Sequence, residues 1–337
     1  MRALNPKGRS KSRALWSTVS PKLRRLYFTS RPRTPIMAPT TRGNAMTDRT
    51  DPPRLRPPRH DGRVPELKAP PGACDTHFHI YEADIPLKPE RRYTPVEAGL
   101  ENYRRMAARL GLQRGVVITG SGMTSNAPSL AAIAAMGGAF KGLALMKPDT
   151  PDAEIEALTE GGMTGFRIST RSVGGLGPDH LLGLAERVKD FGWHVEIHLN
   201  NIEEVVALLP MLRQLPIPYS IDHIGYLHHD RRPGTAEFEA VKGLLESEEN
   251  AYLNIYAWYD LTNEGPPAYA DMADIVGPLV AARPDRIIWG TNWPHPTFEV
   301  PVPDDADLLD FLLLAVPDEG HRRQILVDNP ARLYGWD

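Results

Sequence analysis

The sequence predicts a (β/α)8 barrel, a fold of the α/β class, preceded by a disordered basic extension. Eight short β-branched or apolar runs recur through the chain. Segments of helical period lie between them, and the repeating part is about 260 residues long, the size such a barrel needs. In chain order the expected strands are 73–79, 114–119, 142–146, 164–169, 194–199, 219–223, 251–256 and 286–290. Between them, Leu181, Leu184, Ala185 and Val188 repeat at intervals of three or four, and Val205, Val206, Leu208 and Leu209 form another such face. The competing fold is an open doubly wound sheet. It is disfavoured because no Gly-x-Gly-x-x-Gly turn follows the first strand.

Charge divides the chain in two. Residues 1–65 hold sixteen Lys/Arg against three acidic residues, a net of +13, while the whole 337-residue chain is −3, so 66–337 carry −16. The first part is rich in Arg, Ser and Pro and has only short apolar patches such as Leu26-Tyr27-Phe28, so it has no core to build and reads as disordered. Three readings compete for it: an organelle transit peptide, a nonspecific nucleic-acid tail, or sequence upstream of a true start at Met37 or Met46. A dispensable tail or an upstream start fits best, and the acidic body argues against a nucleic-acid partner. The domain boundary is expected at residue 65, with 66–337 forming the barrel. No run approaches the roughly eighteen apolar residues of a membrane span. Cys74, the single cysteine, excludes an intrachain disulfide, a cysteine-based zinc site and an iron–sulfur cluster. A cytoplasmic enzyme, monomer or homodimer, is expected.

Active sites of such barrels lie at the carboxyl ends of the strands, so polar residues there are the functional candidates. Asp75-Thr76-His77-Phe78-His79 ends the first strand, and a period of two sends His77 and His79 to one side. His198 and His223 close the fifth and sixth strands, where imidazole can ligate a metal, polarise a carbonyl or move a proton. His194, at a strand's beginning, reads as structural. Trp289-Gly290-Thr291-Asn292-Trp293-Pro294-His295-Pro296 follows the last strand and marks a tightly shaped loop.

These motifs, with Asp222-His223-Ile224-Gly225 on strand six, the terminal Asp328-Asn329-Pro330 and the Glu90-to-Pro95 loop, resemble the amidohydrolase superfamily over residues 70–336. More narrowly, they are similar to its lactone-acting branch related to 2-pyrone-4,6-dicarboxylate lactonase. The resemblance implies a lactone hydrolase acting on a small anionic lactone, with no cofactor. It places His77 and His79 on the pocket floor and gives His223 the task of polarising the lactone carbonyl. Arg167 would grip a substrate carboxylate in a planar two-bond fork, with a salt bridge across the barrel mouth as its alternative role. Tyr93, Arg171, Tyr226 and His295 are further substrate-binding candidates, and the aromatic residues Tyr256, Trp258 and Tyr259 would stack on a ring or pack the rim.

Asn292 departs from the family pattern, which has Asp there as general base or metal ligand. Asn supplies neither function well. A hydrolase would then recruit His79 or His198 as base, leaving Asn292 to orient water or donate to the oxyanion. Alternatively, a substrate hydroxyl attacks its own lactone carbonyl, an isomerisation favoured by high effective concentration. A metal-dependent hydrolase or decarboxylase is the third reading, and would need Zn or Mn at His77, His79 and His198. A degenerate barrel serving only to bind is disfavoured by the cluster of costly polar groups.

Overall fold

In the computed structural model, which describes residues 52–297 and 300–336, eight parallel strands alternate with eight helices. They are β1 (Cys74–Phe78), α1 (Leu100–Leu110), β2 (Arg114–Ile118), α2 (Ala127–Met136), β3 (Phe140–Ala144), α3 (Asp152–Glu160), β4 (Met163–Ser169) and α4 (Leu181–Val188). There follow β5 (His194–His198), α5 (Ile202–Leu212), β6 (Tyr219–Ile221), α6 (Ala236–Ser247), β7 (Ala251–Ile255), α7 (Ala270–Ala282), β8 (Ile287–Trp289) and α8 (Asp305–Ala315). The strands pair in sequence order, β1 through β8. Each expected strand is present. β3 starts two residues before its expected position, because Lys141 belongs to it and sends its ammonium to the carbonyls of Tyr334 and Gly335, 2.7 and 2.8 Å away.

The helices seal the barrel by the amphipathic logic read from sequence: Leu181, Leu184, Ala185 and Val188 are all buried on α4. α5 opens on Asn201, whose side chain accepts from the Glu204 N–H, and α6 on Thr235, whose side chain accepts from the Phe238 N–H. At the amino ends of the strands, Leu333 and Tyr334 pack with Cys74, Val116, Leu143 and Ile288. That packing leaves the carboxyl ends as the functional face.

Closure of β8 onto β1 is made by polar groups. Thr76 Oγ1 donates to the Trp289 carbonyl (3.0 Å), and the Asn292 and His79 N–H groups bond the His77 and Trp293 carbonyls (both 2.8 Å). The buried Asp75 carboxylate accepts from the Thr291 N–H at 2.9 Å and the Thr291 hydroxyl at 2.6 Å. The seam therefore runs through the two motifs at the ends of the barrel sequence. Gly290 allows it: a Cβ there would lie 2.8 Å from the His77 nitrogen.

Residues 52–65, on the extension side of the boundary drawn from composition, are seated on the barrel. Leu55 is buried, and its N–H bonds the Thr94 carbonyl at 3.0 Å while Thr94 N–H returns a bond to Pro53 at 2.8 Å. Arg63 pairs with Asp307 and Asp310 of α8 at 2.8 and 2.6 Å. Arg59 and Arg63, counted in a disordered charge run, thus have carboxylate partners far along the chain, which composition does not register. Residues 1–51, most of the expected extension, lie outside the described residues.

Deleting residues 1–45 is expected to leave the melting temperature unchanged. Deleting 1–65, which removes the Thr94 pairing and the Arg63 ion pairs, is expected to lower it by more than about 4 °C. Equal melting temperatures for the two truncations would show that the 52–65 strap adds nothing.

Candidate active site

The barrel interior is layered by strand register. Gly165 faces His194, Arg167 faces Glu196 and Ser169 faces His198 across the β4–β5 pair. The lowest layer is structural: His194 Nδ1 bonds the Thr164 carbonyl at 2.7 Å, and a Cβ on Gly165 would collide with its ring.

The middle layer holds a buried charge cluster. Arg167 donates from Nε to Glu196 (2.5 Å) and from Nη2 to Asp222 (3.1 Å), to His77 Nε2 (3.0 Å) and to the Tyr256 hydroxyl (3.3 Å). The other Glu196 oxygen accepts from His77 Nδ1 at 3.0 Å. Burial disfavours the Glu196 anion, but Arg167 and His77 outweigh it and hold its pKa well below the usual range. Asp222 moves the opposite way, its pKa raised by burial and by the Glu196 charge. One guanidinium therefore faces one firmly ionised carboxylate and one reluctant one.

The upper layer opens to a cleft lined by His77, His79, Tyr93, Arg171, His198, His223 and Asn292 among others. Since a carbonyl can only accept, the 2.9 Å contact of His79 Nδ1 with the Ile118 carbonyl fixes the proton on Nδ1. The Nε2 lone pair then lies 3.3 Å from His77 Nε2, on the floor of the cleft. Burial, His77 and Arg167 push the His79 pKa well below its usual value, and burial, opposed by Glu196, takes that of His77 to about 4. His198, with Nδ1 2.9 Å from the Ser169 hydroxyl, and His223 are shifted the same way by burial and nearby arginines. Burial thus disfavours the charged form of all four imidazoles.

The cleft loops are held in costly conformations. His223, Ile224 and Tyr226 have φ of 52°, 54° and 60°, and Asn292 and His295 have 59° and 63°. Non-glycine residues adopt this left-handed region only where surrounding contacts dictate it.

The sequence candidates separate into three groups. His77, His79, His198, His223, Asn292, Tyr93 and Arg171 converge on the cleft, together with Arg167 at its base. Tyr226 stands behind His223, rings stacked at 5.1 Å, with the Arg171 guanidinium over the Tyr226 ring at 6.0 Å. His295 is buried behind Asn292, bonded to Tyr259 and Asp305. Tyr256 and Tyr259, read from sequence as ring-stacking or rim residues, bond Arg167 and Asn292 instead; Glu196 and Asp222 received no role from sequence, and an acidic residue of inward parity between His194 and His198 was the available signal for Glu196.

His77, Glu196 and Asp222 place ligand atoms within 4.8 Å of one another, a spacing that suits a divalent ion. His198 is not among them, so the grouping differs from the expected His77, His79 and His198. The residues do not fit a metal well. The Arg167 guanidinium already stands in their midst, bonded to all three.

The family model described as "Amidohydrolase" matches residues 74–336. A curated 2-pyrone-4,6-dicarboxylate hydrolase of Comamonas testosteroni is 31% identical over 282 residues, covering 80% of this chain and 92% of that protein. A D-galactarolactone isomerase of Agrobacterium fabrum is also 31% identical, over 81% of this chain and 94% of its own. A solved Agrobacterium tumefaciens structure superposes with a TM-score of 0.74 at 31% identity, over 80% of this chain and 98% of that one.

Arg167→Met keeps the aliphatic stem and strands two buried carboxylates. It is expected to lower the unfolding free energy by about 3–5 kcal/mol in urea titrations. A loss under about 1 kcal/mol would mean that the cluster does not depend on the guanidinium.

Proposed function

The chain belongs to the amidohydrolase family, and on that premise we propose that it is a metal-independent lactonase that opens the ring of a small anionic lactone with water. The observation that carries the reading is the tautomer of His79. Its Nδ1 proton is committed to the Ile118 carbonyl, which leaves a neutral Nε2 as a base on the cleft floor beside a buried cation.

In this reaction His79 Nε2 takes a proton from water as the water oxygen bonds to the lactone carbonyl carbon. The neutral His223 ring polarises the carbonyl oxygen with an N–H. The tetrahedral centre then collapses, the ring C–O bond breaks, and His79 returns its proton to the departing oxygen, giving a hydroxy acid. Arg167, close to His77 and His79, supplies a fixed positive field that favours the hydroxide-like oxygen of the transition state.

The substrate carboxylate is assigned to Arg171 in preference to Arg167. Arg167 is committed to Glu196 and Asp222, whereas Arg171 lines the cleft and has no ion pair among the described residues. Tyr93, whose hydroxyl lies 3.1 Å from that of Tyr81, borders the same space. Metal independence rests on the guanidinium standing where a divalent ion would be held.

A second reading, lactone isomerisation by a substrate hydroxyl, is favoured by Asn292 and by the isomerase relative. Chelator-treated enzyme, mono- and dicarboxylated lactones and NMR in ¹⁸O-labelled water separate the two. One ¹⁸O atom in the ring-opened product is expected. An unlabelled new lactone would establish isomerisation instead, and activity that returns only with zinc or manganese would overturn metal independence.

A further inference from the structure

We propose that Asp305, His295 and Tyr259 form a buried positioning relay that holds Asn292 with its amide oxygen toward the cleft, where it accepts the O–H of the attacking nucleophile. The acceptor role rests on the lactonase reading; the orientation does not.

The chain of contacts is continuous. His295 Nε2 lies 2.9 Å from Asp305 Oδ1, His295 Nδ1 lies 3.3 Å from the Tyr259 hydroxyl, and Asn292 Nδ2 donates to that hydroxyl at 2.8 Å. All four residues are buried. Asp305 starts the count of protons. Its carboxylate is flanked by Arg109, with Nη2 3.7 Å from the second oxygen, so it accepts and His295 donates from Nε2. His295 Nδ1 is then the ring's acceptor and takes the phenol proton. Burial pushes the Tyr259 pKa well above its usual value, so the phenol has that proton to give. With its hydrogen spent on His295, the Tyr259 oxygen can only accept, and the group it faces must be the Asn292 NH2.

Turning the amide over would set Asn292 Oδ1 against an oxygen with no hydrogen to share. The relay therefore selects one face. Nδ2 points to the wall, while Oδ1 has no hydrogen-bond partner among the described residues and borders the cleft. Asn292 and His295 both sit at positive φ, a conformation the Asp75–Thr291 contacts help to impose. Asn292 is thereby an acceptor, unsuited to donating to an oxyanion, and the carbonyl falls to His223. The same oxygen aligns a water or a substrate hydroxyl.

Long-range ¹H–¹⁵N NMR of the full chain tests the orientation. The His295 ring is expected to carry its proton on Nε2 and none on Nδ1, with the Asn292 Nδ2 protons protected from exchange in wild type and unprotected in Tyr259→Phe. A proton on His295 Nδ1, or protection unchanged in Tyr259→Phe, would overturn the relay. On a lactone that the wild type turns over, Tyr259→Phe is expected to lower kcat at least about tenfold, with KM within about twofold and the melting temperature unchanged, as loss of nucleophile alignment requires. Unchanged kcat would overturn the acceptor role. If wild type turns over no lactone, the lactonase reading and the acceptor role built on it fail, while the tautomer and exchange readouts still decide the orientation.

Discussion

A buried guanidinium organises this molecule. Arg167 projects from β4 into the barrel, where it is ringed by Glu196 of β5, Asp222 after β6 and His77 of β1. Taking such a charge from water costs several kcal/mol, and only close, geometrically good partners offset it. Four strand ends are therefore held in one arrangement, since moving any of them leaves a buried charge unpaired. Burial, reinforced by this cation, disfavours the charged form of the neighbouring imidazoles.

The second constraint is the seam. β8 meets β1 through Asp75, Thr76, Thr291 and backbone groups, beside a single parallel bridge between Phe78 and Trp293. Because Asp75 and Thr291 flank His77 and Asn292 in sequence, closing the barrel and orienting the cleft residues are one event. The left-handed Asn292 and His295 of the β8 loop follow directly on this network. Fold energy is thereby committed to the shape of the cleft.

Much of this was legible in the sequence because it is local. Strand runs, helix periods and the shared parity of His77 and His79 depend on neighbours within a few residues, and all appear as expected. The charge cluster was not legible, because Arg167, Glu196 and Asp222 meet only through β-sheet register and barrel curvature. Arg167 read as a substrate clamp for that reason, although the alternative of a salt bridge across the barrel describes its contacts. His295 read as a ligand residue because a loop histidine carries no sign of burial; its partner Asp305 lies ten residues on, at the start of α8. Arg63 was likewise assigned to a disordered run, since its carboxylate partners Asp307 and Asp310 on α8 are some 240 positions away.

In the proposed lactonase, Arg167 takes the place a divalent ion would hold. Metal content by mass spectrometry, on full-length wild type and Arg167→Ala protein produced in zinc- and manganese-supplemented medium, tests it most directly. Far less than one equivalent of either metal is expected in wild type. One tightly held equivalent in wild type would contradict it.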